Sequence, residues 1–150
     1  MPSDQRPLIE LERVWVMRGE KIVLAPDEKI KRVVLCSGKV YFDLYEERET
    51  RGIKDIYLIR VEQLYPFPMK ALLKELSRFK KAEVVWCQEE PRNMGAWFFV
   101  EPYIVWVLNQ VKGSCRRPRY VGRPASAATA TGLMSKHLAQ LKAFLDDALG

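Results

Sequence analysis

Short apolar runs alternate with helix-like patterns along most of this chain, and this alternation limits the folds that it can adopt. Four runs are rich in β-branched residues and apolar on both faces: 31–37, 55–61, 83–89 and 119–122. Strands of this kind belong in a mostly parallel sheet that is covered on both sides. Because helical patterns separate the runs, the sequence predicts an α/β fold in which helices supply that cover.

Helices are predicted over four segments: 39–52, 69–79, 97–111 and 133–149. The first places Val40 and Leu44 on one face and ends at Gly52. Pro102 interrupts the third, so that helix is expected to start or kink there. The predicted inner stripe of the last helix consists of Met134, Leu138, Leu141, Leu145 and Ala148. Residues 1–28 lack a clean period and are interpreted as an N-terminal arm or hairpin beside a domain of residues 29–150.

Composition narrows the classes of function. The chain has 150 residues, a net charge of +6 and a pI of about 9.3, which favours acidic partners such as nucleotides, nucleic acid or an acidic protein face. No apolar stretch approaches the roughly 18 residues of a membrane-spanning helix. The first residues also lack the apolar segment of a secretory signal. We expect no membrane partner and a location in the bacterial cytoplasm, or in the mitochondrial matrix of a eukaryote.

The cysteine and histidine content argues against a metal site. Cys36 and Cys87 end apolar runs and are interpreted as small buried hydrophobes, whereas Cys115 lies in a basic loop. His137 is the single histidine, and no Cys-x-x-Cys is present, so the sequence predicts no zinc site. His137 lies near the inner stripe of a helix and is interpreted as a packing residue.

Function in such a sheet collects where strands end, and paired carboxylates stand at one of these points. Glu89 and Glu90 close the third apolar run. Neighbouring residues of a strand point to opposite faces, whereas a catalytic pair normally comes from two segments that face a common gap. We therefore expect one carboxylate to anchor a turn or an interface, against Arg92, and predict no catalytic residue.

A Ser-Gly-Lys turn follows the first apolar run. Ser37, Gly38 and Lys39 would place backbone N–H groups and a lysine at a helix start, which suits an anion, although the segment also reads as a simple helix cap. It is not a P-loop, and no Gly-x-Gly-x-x-Gly or Gly-Asp-Gly signature accompanies it. Ser37 as a nucleophile has little support, since the one histidine lies on a distant helix.

A basic segment precedes the last helix and keeps a nucleic-acid alternative open. It contains Arg116, Arg117, Arg119 and Arg123 around Tyr120. Such a surface could bind RNA or DNA, but no recognised motif supports this, and a solvated loop is the favoured interpretation. Trp86, Trp97 and Trp106 fit a core or a subunit interface better than a stacking platform.

Four stretches together resemble a known family. "RVVLCSGKVYFDLYEER", "RVEQLYPFP", "VVWCQEEPRNMGAW" and "GRPASAATATGLMSKH" are similar to the C-terminal domain of the decarboxylating component of 2-oxoglutarate dehydrogenase, from about Asp27 to Gly150. The resemblance implies a three-layer αβα sandwich around a mostly parallel, mixed sheet, like the C-terminal domain of transketolase. It implies a parent oxidoreductase of the tricarboxylic acid cycle with thiamine diphosphate and magnesium, which passes a succinyl group to dihydrolipoyl succinyltransferase in a multienzyme complex.

The resemblance also assigns roles to residues of this domain. It implies that the cofactor sits between the preceding domains and that this domain binds none, completing a homodimer instead. Turn or interface positions are Gln88, Glu89, Glu90, Asn93, Gly95, Trp97 and Arg123. An activating acyl-CoA or nucleotide site is implied at Gln63 and Lys70, although Ala71 replaces a second basic position. Lys39 is added to that site on physical grounds.

Three hypotheses follow. In the first, the chain is a fragment or split-gene product that serves dimer assembly and regulation of the parent enzyme and does not decarboxylate by itself. In the second, it is a stand-alone module that binds acetyl-CoA, another nucleotide or a protein. Nucleic-acid binding is the third and least supported. Expected partners are the remaining domains of the parent, a second copy and dihydrolipoyl succinyltransferase.

Overall fold

The described part of the chain contains one mixed sheet. A computed structural model describes residues 8–11, 14–17, 23–62, 64–123 and 134–150, with side chains for 23–62, 64–123 and 138–150. The strands are β1 (Leu8–Leu11), β2 (Val14–Met17), β3 (Arg32–Cys36), β4 (Ile56–Val61), β5 (Glu83–Pro91) and β6 (Arg119–Arg123), in the spatial order β1-β2-β4-β3-β5-β6. The four strands β3 to β6 run parallel, and β1 and β2 form a hairpin that pairs antiparallel with β4.

Helices cover both faces of this sheet. They are α1 (Val40–Arg51), α2 (Met69–Leu76), α3 (Trp97–Val111) and α4 (Met134–Leu149), with a single 3-10 turn at Asp27–Lys29. One face packs against α1 and α4, and the other packs against α2 and α3. The predicted α/β sandwich of three layers is therefore confirmed. None of the helices within the described residues combines the length and apolarity that would let it cross a bilayer.

The strands alternate between two cores. In β3, Val33 and Leu35 face α2 and α3, whereas Val34 and Cys36 face α1 and α4. Cys36 and Cys87 are fully buried, as predicted. Burial raises the pKa of the Cys36 thiol well above its usual value and that of Cys87 to about 12, so both remain protonated packing residues.

Two helix predictions need correction. The helix α3 begins at Trp97, so an expected start at Pro102 is wrong; the ring lies exposed inside the helix. Leu138 is 54% exposed, contrary to the predicted stripe of α4, whereas Leu145 and Ala148 are buried as expected. Phe144 and Leu149, which the stripe omitted, are also buried. The reason is that α4 packs on the sheet mainly through its C-terminal half.

The N-terminal segment joins the same sheet. Residues 14–17 pair with β4 through Val14 opposite Val61 and Val16 opposite Ile59. A hairpin is thus present where the sequence allowed an arm or a hairpin. The division of the chain at residue 28 stays a prediction.

An ion-pair network closes the amino ends of the parallel strands. Glu83, the first residue of β5, accepts hydrogen bonds from Arg32 Nε on β3 and Arg119 Nε on β6, each at 2.8 Å. Arg32 also donates to the carbonyl of Ala148, and Arg119 donates to the Asp147 carboxylate, at 2.7 and 2.8 Å. The end of α4 is thereby fixed to three strands.

Candidate functional site

A cleft opens at the carboxyl ends of β3 and β5. The chain leaves β3 through α1 towards β4 on one side, and leaves β5 through α3 towards β6 on the other. Connections that leave neighbouring strands in opposite directions cannot cover the gap between them, and ligands of α/β proteins bind at this point. The cleft has a volume of about 430 Å³ and is lined by Ser37, Gly38, Leu64, Trp86, Gln88, Glu90, Gly95, Ala96 and Phe99.

The Gln88 side chain builds the turn that forms one wall. It is 3% exposed, and its Oε1 accepts hydrogen bonds from the Trp86 indole N–H at 3.0 Å and the Trp97 backbone N–H at 3.1 Å. Its Nε2 donates to the carbonyls of Met94 and Pro91, at 2.7 and 2.9 Å. A buried amide with partners on both sides orders β5, the turn and the start of α3 as one unit.

Glu89 and Glu90 have separate environments, as expected for adjacent strand residues. Glu89 Oε2 accepts a hydrogen bond from Lys39 Nζ at 3.0 Å, and this bond raises the pKa of Lys39. Lys39 also lies 3.9 Å from an Asp43 carboxylate oxygen. Glu90 lines the cleft instead. The two carboxylates do not face a common gap, so this geometry does not provide an acid/base pair.

Gly95 lets the turn pass close to the Glu90 carboxylate. Its φ of +70° lies in the left-handed region that favours glycine. A Cβ built on Gly95 would lie 3.1 Å from Glu90 Oε1 and 3.2 Å from Gln88 Nε2. Glycine therefore provides both the backbone conformation and the space that the turn requires.

The arginine side chains near the turn contact aromatic rings and a backbone carbonyl rather than the predicted glutamate carboxylate. The expectation that Arg92 pairs with a neighbouring glutamate is wrong: its guanidinium lies over the rings of Trp97 and Tyr120, 5.9 and 5.4 Å from their centroids. Arg123 is 7% exposed and donates from Nε to the backbone carbonyl of Glu89 at 2.8 Å. The carbonyl of Arg123 in turn accepts a hydrogen bond from Tyr120 Oη at 2.6 Å. These contacts tie β6 to the end of β5.

The comparisons with known proteins match the chain over nearly its whole length. The family model described as 2-oxoglutarate dehydrogenase C-terminal matches residues 10–149. The chain belongs to this family. The 2-oxoglutarate dehydrogenase E1 components of Brucella anthropi and Brucella ovis are 70% identical to it over 133 residues, and that of Brucella abortus is 71% identical. These alignments cover 89% of the chain but 13% of each relative. The family resemblance of the four motifs is confirmed.

The predicted turn positions of this 2-oxoglutarate dehydrogenase family domain converge, whereas the predicted activator positions do not. Six of the predicted turn positions lie between Gln88 and Trp97, in β5, in the turn that follows it or at the first residue of α3, and the seventh, Arg123, lies in β6. Asn93 is exposed on that turn. Lys70 is exposed in the first turn of α2 and does not line the cleft, and Lys39 is bonded to Glu89. Gln63 lies outside the described residues, so the activator site stays a prediction.

The basic segment before the last helix is largely engaged within the domain. Arg119 and Arg123 make the internal contacts described above, and Arg117 Nη1 lies 3.5 Å from Glu101 Oε2. Arg116 is exposed and lies 3.4 Å from Asn109 Oδ1. The continuous arginine surface that the nucleic-acid hypothesis needs is not formed by these four side chains. The side chain of His137 and residues 124–126 lie outside the described part.

Sequence reasoning did not identify several walls of the cleft. Ala96 and Phe99 were not singled out, and Trp86 was assigned to the core, where it is also 1% exposed. One signal was available, because these residues stand at strand ends and helix starts that a parallel topology brings to one edge. No group of three His, Cys, Asp or Glu side chains suited to a metal ion occurs among the described residues.

Proposed function

We propose that this chain acts as the C-terminal domain of a 2-oxoglutarate dehydrogenase E1 component. The parent enzyme would decarboxylate 2-oxoglutarate with thiamine diphosphate and magnesium and transfer the succinyl group to the lipoyl arm of dihydrolipoyl succinyltransferase. The observation that carries this proposal is the family match over residues 10–149, with relatives of that name 70% identical. The chain spans 13% of those relatives, so most of the machinery belongs to the rest of the polypeptide.

The domain's own cleft does not fit the cofactor. A magnesium diphosphate needs oxygen ligands for the metal together with N–H donors or free cations for the phosphates. Here Gln88 is fully engaged, Lys39 is bonded to Glu89, and the Glu90 carboxylate would repel a phosphate. We therefore assign no catalytic step to these residues. In the proposal, the cofactor is held by the domains that precede this one.

The role that we propose for the domain is assembly of the enzyme's homodimer. Exposed aromatic side chains away from the cleft lining support it, because Phe98 and Trp106 are 66% and 48% exposed. Large aromatic residues on a surface are enriched at sites of protein contact. With no membrane-spanning helix in the described residues and bacterial relatives, we infer a cytoplasmic enzyme complex.

Regulation is the second part of the proposal. We propose that an acyl-CoA or nucleotide activator binds near Gln63 and Lys70, with Lys39 at the edge of the site, where it would have to release Glu89 to meet a phosphate. Support comes from the exposure of Lys70 and from the net charge of +6. Thermal unfolding of the chain with acetyl-CoA tests this. We expect a rise in Tm that is lost in Lys70→Ala and kept in Lys74→Ala, a matched exposed lysine of the same helix. A flat response at millimolar acetyl-CoA, or equal responses of the two variants, would contradict it.

Complementation tests the assembly role. The Brucella anthropi E1 component would be shortened by the 133 residues that align with this chain, and the chain would then be added in trans. We expect the shortened enzyme to lose its dimer and its 2-oxoglutarate-dependent reduction of ferricyanide, and the added chain to restore both. Light scattering after size exclusion gives the mass. The proposal fails if the shortened enzyme keeps its dimer and activity, or if addition of the chain changes neither.

A further inference from the structure

The cleft at the carboxyl ends of β3 and β5 has a rigid apolar wall. The Trp86 indole is held by its hydrogen bond to Gln88, and Leu64, Ala96 and Phe99 complete the wall. Because Gln88 also fixes the first N–H of α3, the wall and the helix start move as one unit. Such a surface can accept the aliphatic or planar part of a side chain without rearrangement.

The polar component of the cleft is the Glu90 carboxylate, whose charge acts on the nearby Lys39 ammonium although Lys39 hydrogen-bonds to Glu89. Among the residues whose side chains are described, none forms an ion pair with Glu90. The cations nearby have other partners: Lys39 bonds to Glu89, Arg92 lies over aromatic rings, and Arg123 donates to a backbone carbonyl. Glu90 therefore places a negative charge at the mouth of an apolar cleft on a chain whose net charge is +6.

An apolar wall beside a carboxylate fits a side chain with an apolar stem and a cationic head. Arginine fits best, since its planar guanidinium stacks on aromatic rings while its N–H groups bond to a carboxylate. Lysine offers the same charge without the planar group. A nucleotide or another anion is disfavoured, because its phosphates would meet Glu90 at the mouth of the cleft.

The surroundings of the cleft indicate a polypeptide rather than a small free cation. Phe99 lines the cleft, and its ring centroid lies 6.4 Å from that of Tyr65, which is 78% exposed. This rim of Tyr65 and Phe99 offers contact area beyond the reach of one amino acid and resembles the aromatic cores of protein interfaces.

We propose that the cleft between β3 and β5 docks a polypeptide segment that inserts an arginine side chain between the accessible Leu64–Phe99 part of the wall and the Glu90 carboxylate. Residues flanking that arginine contact the aromatic rim. The inference uses only this domain's own surface and does not depend on the proposed role in the E1 component.

Titration of the ¹⁵N-labelled 150-residue chain with small peptides tests the proposal. The probes are acetyl-Phe-Arg-Phe-amide and the same peptide with citrulline, which keeps the shape of arginine without its charge. We expect saturable shifts of the Gly38 and Gly95 amides and the Trp86 indole N–H, with a Kd on the order of millimolar for the arginine peptide. The citrulline peptide should bind about tenfold more weakly, because one charge-assisted hydrogen bond is lost.

Two variants locate the interaction. Glu90→Gln should weaken the arginine peptide about tenfold and leave the citrulline peptide unchanged, since only the charge is removed. Glu28→Gln, at an exposed glutamate of the 3-10 turn, is the matched control and should change neither. Equal binding of the two peptides, an unaltered Glu90→Gln titration or absent shifts at these three groups would each overturn the proposal.

A third arm separates a polypeptide from a free cation. Acetyl-arginine-amide lacks the flanking phenylalanines, and we expect it to bind at least about threefold more weakly than the longer peptide, since it cannot reach the rim. Tyr65→Ala should reduce this difference. If the single amino acid binds as tightly as the peptide and Tyr65→Ala has no effect, the cleft is a small-cation site and the proposed docking of a polypeptide is wrong.

Discussion

Glutamates at the two ends of β5 have different surroundings. At the amino end, Glu83 accepts two arginines that also bond to the end of α4, so that edge of the sheet is closed. At the carboxyl end, Glu89 pairs with one cation, Lys39, whose side chain is 73% exposed, and Glu90 lines an open cleft. The same residue type thus contributes to cohesion where several cations converge, and remains available to an outside partner where none does.

Topology accounts for this difference. At the amino end, the last turn of α4 lies across β3, β5 and β6 and supplies backbone and carboxylate partners for both arginines. At the carboxyl end, α1 and α3 leave their strands on opposite faces of the sheet, so no helix covers the gap. The cleft wall must then be stabilised by its own turn, and Gln88 supplies that stabilisation.

The largest expected effect comes from removing the Gln88 amide. Gln88→Leu keeps the volume but leaves the Trp86 and Trp97 N–H groups without their acceptor. It also removes the Gln88 donor to the Met94 and Pro91 carbonyls, of which Pro91 keeps the Met94 N–H. We expect the free energy of unfolding to fall by about 3 kcal/mol, since each buried polar group without a partner costs about 1 to 3 kcal/mol. Urea unfolding followed by tryptophan fluorescence measures it.

The control for this variant lies on an exposed helix face. Gln110→Leu makes the same chemical change on α3 and should alter the free energy of unfolding by less than about 0.5 kcal/mol. A loss below about 1 kcal/mol for Gln88→Leu would mean that the turn holds without its amide, and the comparison of the two ends would lose its basis.

A smaller effect separates the two ends of β5 directly. Glu83→Gln removes the charge shared by Arg32 and Arg119, and we expect a loss of about 1.5 kcal/mol, because the Arg32 side chain is only 15% exposed. Glu89→Gln removes a single pair whose Lys39 side chain is 73% exposed, and should cost about 0.3 kcal/mol. Both values come from urea unfolding at pH 7. Equal losses would show that burial and partner number do not distinguish the two ends.

The pH dependence of the stability loss in Glu83→Gln is the smallest expected effect. The Arg119 and Arg32 guanidinium groups hold the pKa of Glu83 below its usual value, and its unfolded-state pKa is about 4.3. A lowered folded-state pKa gives stability that is fully present above the unfolded value and lost as pH falls through the folded one. The stability difference between wild type and Glu83→Gln should therefore be constant from about pH 6 to 8 and shrink below about pH 4.3. Urea unfolding at successive pH values checks this; a constant difference down to pH 3 contradicts it.

Most of the elements were predictable from local pattern. The apolar runs gave β3 to β6 within two residues, and Gly52 ends α1 with a φ of +66°, as its glycine predicts. Pro102 misled because α3 continues through it, with the ring on an exposed face while Val100 and Ile104 pack in the core and hold the helix on the sheet. Leu138 misled because periodicity identifies a face but not how far that face extends over the sheet.

The site was only partly predictable. The turn residues around Gln88 and Gly95 were assigned by the family resemblance, and Glu89 and Glu90 have the separate environments that adjacent strand positions predict. The partner of Arg92 was wrong, since aromatic rings from α3 and β6 reach it and no pattern along β5 reports their position. Phe99 was missed for the same reason, because it joins the cleft from a separate segment.

The sequence by itself determined the α/β class, the parallel strands and the family, because hydrophobic periodicity and local motifs are properties of neighbouring residues. The tertiary structure decided which glutamate is closed in by arginines and which one faces a cleft. That choice depends on residues 30 to 60 positions apart, such as Arg32 with Glu83 and Lys39 with Glu89. Charge pairing over such separations follows from sheet order and register, which only the folded chain provides.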